Sequence, residues 1–423
     1  MPVRHRVRPL VSTLSALLLL GGCGLLPDTG EETRPLEVWL MRGSLSDELA
    51  DAVVRDFESR NPGVEVEVTV QDWSGIDRKV TAALASDDAP DVIEVGNTQV
   101  AQYVEAGGVR NLTIEVTDLG GDHWIPGLEE PGKIDGYQYG VPFYAANRVI
   151  IYRKDLFARA GITSPPTTRE EWLEVTARLT RPGLQGIYLP GRNWYVLAGF
   201  VWDEGGDLAV ERSGQWTGAL HTPRALRAME FYKKLRSYGR GPADSDEGDP
   251  EQRGVFAKGG IAQLIDVPGA AELIVEANPD LAGKLGFFPI PGKKKGTPGA
   301  VFTGGSVLII PEKGDEQDAA YSFVKLLTGE KWQRKLARTM SVVPNSTELA
   351  DALEDDPGAA AMAEGARNGH ATPNSPRWGE LEADNPIKRY QTEVLRGADA
   401  RTAARRASEE ITEILTGRRG RVE

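Results

Sequence analysis

Val64-Glu65-Val66-Glu67-Val68-Thr69-Val70 alternates four valines with two glutamates and a threonine, which lays every valine on one face of an extended strand. Upstream, Leu36-Glu37-Val38-Trp39-Leu40 reads as a second strand. Between them Ser44 is placed to cap a helix carrying Leu45, Leu49, Val53 and Phe57 on one stripe, stopped by Asn61-Pro62-Gly63. Downstream, a helix points Ile76, Val80 and Leu84 inward, and Asp91-Val92-Ile93-Glu94-Val95 is apolar enough to lie inside a sheet. Strand and helix in alternation are the mark of α/β layers. The same reading predicts a capping box at Thr168-Arg169-Glu170-Glu171 before Trp172, Val175 and Leu179, and helices over 222–238, 315–327, 385–395 and 398–415.

A chain of 423 residues is too long for one core, so two domains are expected. The formal net charge of −13 repels nucleic acid and anionic lipid. Cys23 is the sole cysteine, which excludes a disulfide within the chain and a thiolate zinc site. It stands directly after Arg4, Arg6 and Arg8, an apolar run from Leu10 to Leu20, and Gly21-Gly22. That order is similar to a bacterial lipobox and implies a signal peptide over 1–22, lipid on Cys23 and an extracytoplasmic protein anchored to the cell membrane. The run is too short to span a bilayer, which takes about 20 apolar residues. Residues 23–35, without periodicity, read as a flexible tether.

Trp39-Leu40-Met41, Ala89-Pro90-Asp91-Val92, Tyr139-Gly140-Val141-Pro142-Phe143-Tyr144 and Tyr152-Arg153-Lys154-Asp155-Leu156-Phe157 occur in order. Trp202-Asp203-Glu204-Gly205-Gly206, Phe256-Ala257-Lys258-Gly259, Gly304-Gly305-Ser306, Val343-Pro344-Asn345 and Thr372-Pro373 follow in step. In this order the chain resembles the extracellular solute-binding proteins of carbohydrate ABC transporters, the maltose-binding-protein-like group. The resemblance implies a two-lobed periplasmic-binding-protein-like fold with three hinge crossings and a central ligand cleft. It puts the crossings near 144–148, 296–301 and 340–345. The N-terminal lobe is then 36–145 with 300–342, and the C-terminal lobe 146–299 with 343–423. It also implies a monomeric receptor that takes a mono- or oligosaccharide and delivers it to the transmembrane subunits of an ABC permease.

A sugar presents hydroxyls that donate and accept beside a C–H face, so its site calls for amides, carboxylates and aromatic rings in one trench. In an open α/β sheet ligands lie beyond the strand carboxyl ends. Asp72-Trp73 and the Glu94-to-Gln99 turn, with Asn97, sit there. Arg192-Asn193-Trp194 and Asp203 are expected on the facing lobe, Trp378 as a stacking ring matched to the family, and Asp266 as a hydroxyl acceptor or a helix cap. Relatives commonly place an aromatic after a polar-Pro pair, where this chain reads Ile265-Asp266-Val267-Pro268-Gly269-Ala270 without one. The expected binding set is completed by Arg42, Tyr144, Asn147, Gly304 and Gly305. Trp39, Trp172 and Trp332 fall inside strands or helices and are expected in the core, where Trp202 also fits better than on the cleft.

No cofactor or metal is expected. His5, His123, His221 and His370 are scattered, and no nucleophile elbow, phosphate loop or dinucleotide pattern occurs. A binding protein rather than an enzyme is therefore the expectation. Two alternatives stay open: a secreted glycoside hydrolase, which needs a carboxylate pair the spacing does not single out, and a ferric-ion receptor using Tyr137, Tyr139 and Tyr144.

Overall fold

Five elements follow one another from the amino end as the periodicity predicts: β1 (Leu36–Met41), α1 (Asp47–Arg60), β2 (Val66–Gln71), α2 (Ile76–Ala85) and β3 (Val92–Gly96). They belong to a computed structural model that describes residues 34–73 and 75–418. Cys23, the signal sequence and nearly all of the tether lie outside the described residues. β1 runs parallel to both β2 and β3, and β3 is antiparallel to Gly304–Ile309. Val141–Ala146 and then Val343–Pro344 complete a six-stranded sheet. β3 is interior, and its first four residues are all buried.

Two details depart from the sequence reading. The cap of α1 is Ser46, whose Oγ accepts from Leu49 N at 3.3 Å, because Ser44 turns inward to Glu94. The valine face of β2 is covered only in part: Val66 and Val68 are half-buried and Val70 is 47% exposed, since β2 is the sheet's edge. Below the sheet, Leu49, Val53 and Phe57 of α1 join Phe323 and Leu327 in one core. Each such side chain contributes about 1.5–3 kcal/mol by leaving water.

A second sheet has Val149–Arg153 at its centre, antiparallel to both Gln263–Asp266 and Leu285–Phe288. Parallel bridges from Gln185 to Ile261 and from Tyr188 to Leu264 extend it. The helix Arg169–Leu179 begins at the expected capping box and buries Trp172 completely, with Trp172 Nε1 donating to Gln263 Oε1 at 2.8 Å. This core is separate from the first. The remaining expected helices are Pro223–Arg236, Gln317–Thr328, Pro386–Leu395 and Ala400–Leu415, three of them capped by Thr222, Asn385 and Asp399.

Asn147 and Arg148 alone carry the chain from the first sheet to the second. It returns between Phe288 and Gly304, where Val301–Phe302 pairs in parallel with Gly369–His370. After Val343–Pro344 it leaves the first sheet again, and the helix Pro357–Ala366 packs on the strands Leu285–Phe288 and Val149–Arg153. Gly305 has φ +152°, and a Cβ there would stand 2.2 Å from Tyr144 O. Only glycine allows the two strands to close up where their register shifts.

Candidate ligand-binding cleft

The parallel strands β1, β2 and β3 all end on one rim. Arg42 follows β1 and donates from Nε to Asp72 Oδ1 at 2.5 Å, both side chains about two-thirds exposed. Trp73 follows Asp72, and its ring edge lies against Gly96, where a Cβ would be 3.6 Å from the indole. The ring is 43% exposed, a flat apolar face held at a strand end. Gln99 stands beside it and accepts from Tyr103 OH at 3.3 Å.

Behind the rim, Glu94 and Asn97 are buried rather than presented. Glu94 accepts from Met41 N at 2.8 Å and from Ser44 Oγ at 2.6 Å, and Ser44 Oγ lies 2.9 Å from Tyr144 OH. Burial pushes the Glu94 carboxyl above the usual range, against the pull of these donors. Asn97 Nδ2 donates to Thr303 O at 2.8 Å. Both side chains therefore shape the rim from beneath.

The second lobe brings a charged and aromatic cluster to the crossing. Arg148 donates from Nε and Nη2 to the two oxygens of Glu247, at 2.6 Å each. Burial opposes its charge, and Glu247 more than offsets that. Asn193 caps the helix Trp194–Asp203 and donates from Nδ2 to Glu247 Oε1 at 2.9 Å. The Arg148 guanidinium lies 4.4 Å from the Tyr195 ring centre, and Tyr195 stacks on Phe302 at 4.7 Å and 28°. Burial, and next the neighbouring Glu382 charge, push the Tyr195 hydroxyl up to about 12. The helix Trp378–Ala383 packs on the Asn97–Gln99 turn, which brings the two lobes' contributions side by side.

Several expected residues take structural duties instead. Trp194 and Trp378 are buried, 6.2 Å apart between ring centres, so neither offers a stacking face. Asp203 is held by Arg169 at 2.8 Å, at the far end of its helix from Asn193. Asp266 receives Arg253 Nε and Gln252 Nε2 on Oδ2, at 2.9 Å each, and Arg253 Nη2 and Val267 N on Oδ1. A carboxylate with four donors has no capacity left for a hydroxyl. Arg192 donates to Thr392 Oγ1, Asn147 is buried in the crossing, and Gly304 and Gly305 serve the strand contact. Trp39, expected in the core, is half-buried beneath Lys79 Nζ at 4.9 Å from its ring centre. Trp172, Trp202 and Trp332 are buried as expected.

Sequence reading passed over Glu247 and Phe302, and Ser44's link to Glu94. Glu247 lies in an irregular acidic loop without periodicity, so only its spatial partner reveals it. A cavity of about 470 Å³ at the Trp202 end of the helix, with Trp216, His370, Glu130 and Asp207 in its walls, holds none of the rim residues. Glu130, Asp135, Asp207 and Glu211 supply its carboxylates, and partial burial pushes the Glu130 and Asp207 carboxyls above the usual range. Tyr137, Tyr139 and Tyr144 have three different surroundings: an exposed hairpin, the β3 core and the Ser44 hydroxyl. No helix among the described residues is long and apolar enough to cross a membrane.

Two α/β lobes joined by crossing strands, with polar and aromatic groups at the strand ends between them, define a two-lobed solute receptor. The chain belongs to the bacterial extracellular solute-binding protein family, whose model matches residues 42–334. It is similar to the diacetylchitobiose binding protein DasA of Streptomyces coelicolor, 36% identical over 382 residues that cover 90% of this chain and 89% of that protein. Among solved structures it is similar in fold to the sugar-binding protein MalE of Xanthomonas citri, with 24% identity, a TM-score of 0.81 and coverage of 91% and 98%. The GacH receptor of Streptomyces glaucescens matches with 24% identity, a TM-score of 0.72 and coverage of 90% and 98%. These are binding proteins, not enzymes, and they leave the hydrolase and ferric-ion alternatives without support.

Proposed function

We propose that the protein is a monomeric receptor, anchored to the outer face of the cell membrane by lipid on Cys23, that binds a mono- or oligosaccharide between its lobes and delivers it to an ABC permease. The ligand class we favour is a short N-acetylated saccharide. The observation that carries this reading is the 36% identity to a diacetylchitobiose binding protein over nine-tenths of the chain. The presented face of Trp73 beside Arg42, Asp72 and Gln99 suits it chemically, as a stacking plane ringed by planar hydrogen-bonding groups. Closure is driven by whatever contacts the ligand makes in the closed state and not in the open one. That difference lets a permease tell loaded receptor from empty.

Titration calorimetry with di-N-acetylchitobiose, maltose and mannitol tests the reading. Tight, saturable binding of the N-acetylated disaccharide, recovered unchanged after prolonged incubation, is the expected result. Binding of none of the three, or multiple-turnover cleavage, would refute it.

A further inference from the structure

Glu382 was not singled out by its sequence, and the structure sets it apart from every other carboxylate in the cleft cluster. Glu247 is saturated by Arg148 and Asn193, and Asp266 by Arg253, Gln252 and Val267 N. Glu382 is half-buried and has a single protein donor, Trp378 Nε1, at 2.9 Å from Oε1. Among the described residues no cation stands within ion-pair distance of it. Its second oxygen is thus an acceptor without a partner, in a place where water is partly excluded. The oxygen keeps access to solvent, so a ligand donor can take the place of water there.

Its surroundings say which donor. Glu382 lies on the helix Trp378–Ala383, whose start packs on the Asn97–Gln99 turn of one lobe, and its charge is felt at Tyr195 of the other. The carboxyl therefore lies near the Tyr195–Phe302 aromatic pair, on a helix that packs against the Asn97–Gln99 turn. Burial pushes its pKa upward, with Trp378 N–H and, farther off, Lys388 opposing.

We infer that Glu382 is a specificity-determining residue of the cleft, whose free oxygen accepts a hydrogen bond from a hydroxyl or acetamido N–H of a neutral saccharide. This rests on the receptor reading above. Trp378 is the positioning residue: its N–H holds Oε1 and leaves Oε2 without a protein donor.

Glu382→Gln is the informative change because it keeps size and shape. Its one oxygen is claimed by Trp378 N–H, so its NH2 group would meet the ligand's donor, two donors facing each other. Affinity for di-N-acetylchitobiose should fall about tenfold or more, with the urea unfolding midpoint unchanged. An affinity within twofold of the parent overturns the inference and leaves the receptor reading intact. An affinity loss matched by an equal loss of stability also overturns it, since Glu382 would then be structural. If the parent protein binds no saccharide, both readings fall together.

Discussion

Glu247 receives both arms of Arg148 at 2.6 Å, across 99 residues of sequence, and so ties the dipeptide that joins the two sheets to a loop of the second lobe. The ion pair also sets the guanidinium over Tyr195. One contact thereby fixes the crossing, the aromatic pair and the Asn193 cap together.

Removing its acidic half should be costly. Glu247→Ala leaves Arg148 buried without a counter-charge, and about 3 kcal/mol of stability should be lost. Urea unfolding measures it; a loss below about 1 kcal/mol would mean the pair is already compensated by water.

Tryptophan position predicts two opposite phenotypes. Trp73→Ala should weaken ligand binding by about 2 kcal/mol, roughly thirtyfold, with little change in stability, because the ring is presented to solvent. Trp172→Ala and Trp378→Ala remove fully buried indoles and should each cost about 3–5 kcal/mol of stability. Calorimetry beside unfolding midpoints for the three variants separates the roles. Full affinity in Trp73→Ala would displace the stacking plane from this rim.

Glu94 predicts a pH trend. Burial raises its folded-state pKa above the unfolded value, near 4.3. The folded protein holds that proton more tightly, so the Glu94 contribution is fully present below the unfolded value and is lost as pH rises through the folded one. Glu94→Gln removes the titration. As pH rises above about 4, the difference in thermal midpoint, parent minus variant, should move in the variant's favour. A constant difference would show that Ser44 and Met41 N keep the carboxylate ionised throughout.

Anchoring is tested by Cys23→Ser, which should move the protein from the membrane fraction to the soluble fraction while saccharide affinity stays the same. Equal membrane retention of the variant would remove the lipid anchor from the proposal.

Period-two and period-3.6 patterns made the sheet-and-helix frame legible, because β1 to β3 and their helices are built from neighbours in sequence. The Thr168 capping box was readable for the same reason: it is completed within four residues. The site was less legible. Asp266 reads as a free acceptor until Arg253 is seen beside it, and Trp378 reads as a platform until Trp194 covers it. Ser44 and Ser46 look equally fit to cap α1, and only the contact with Glu94, 50 residues on, decides between them. What the sequence hides is each polar group's distant partner, and that partner determines whether the group is free for a ligand.

The exposure of Trp73 has a spectroscopic consequence. Of the nine tryptophans, it alone is exposed; the others are buried or half-buried. Trp73 should therefore supply the red edge of the emission band and most of the quenching by iodide. A saccharide settling on its face would shift that edge to the blue and shield it from quencher, while the buried indoles emit unchanged. The unlabelled protein thus carries its own optical reporter of occupancy, at the surface where the ligand is proposed to land.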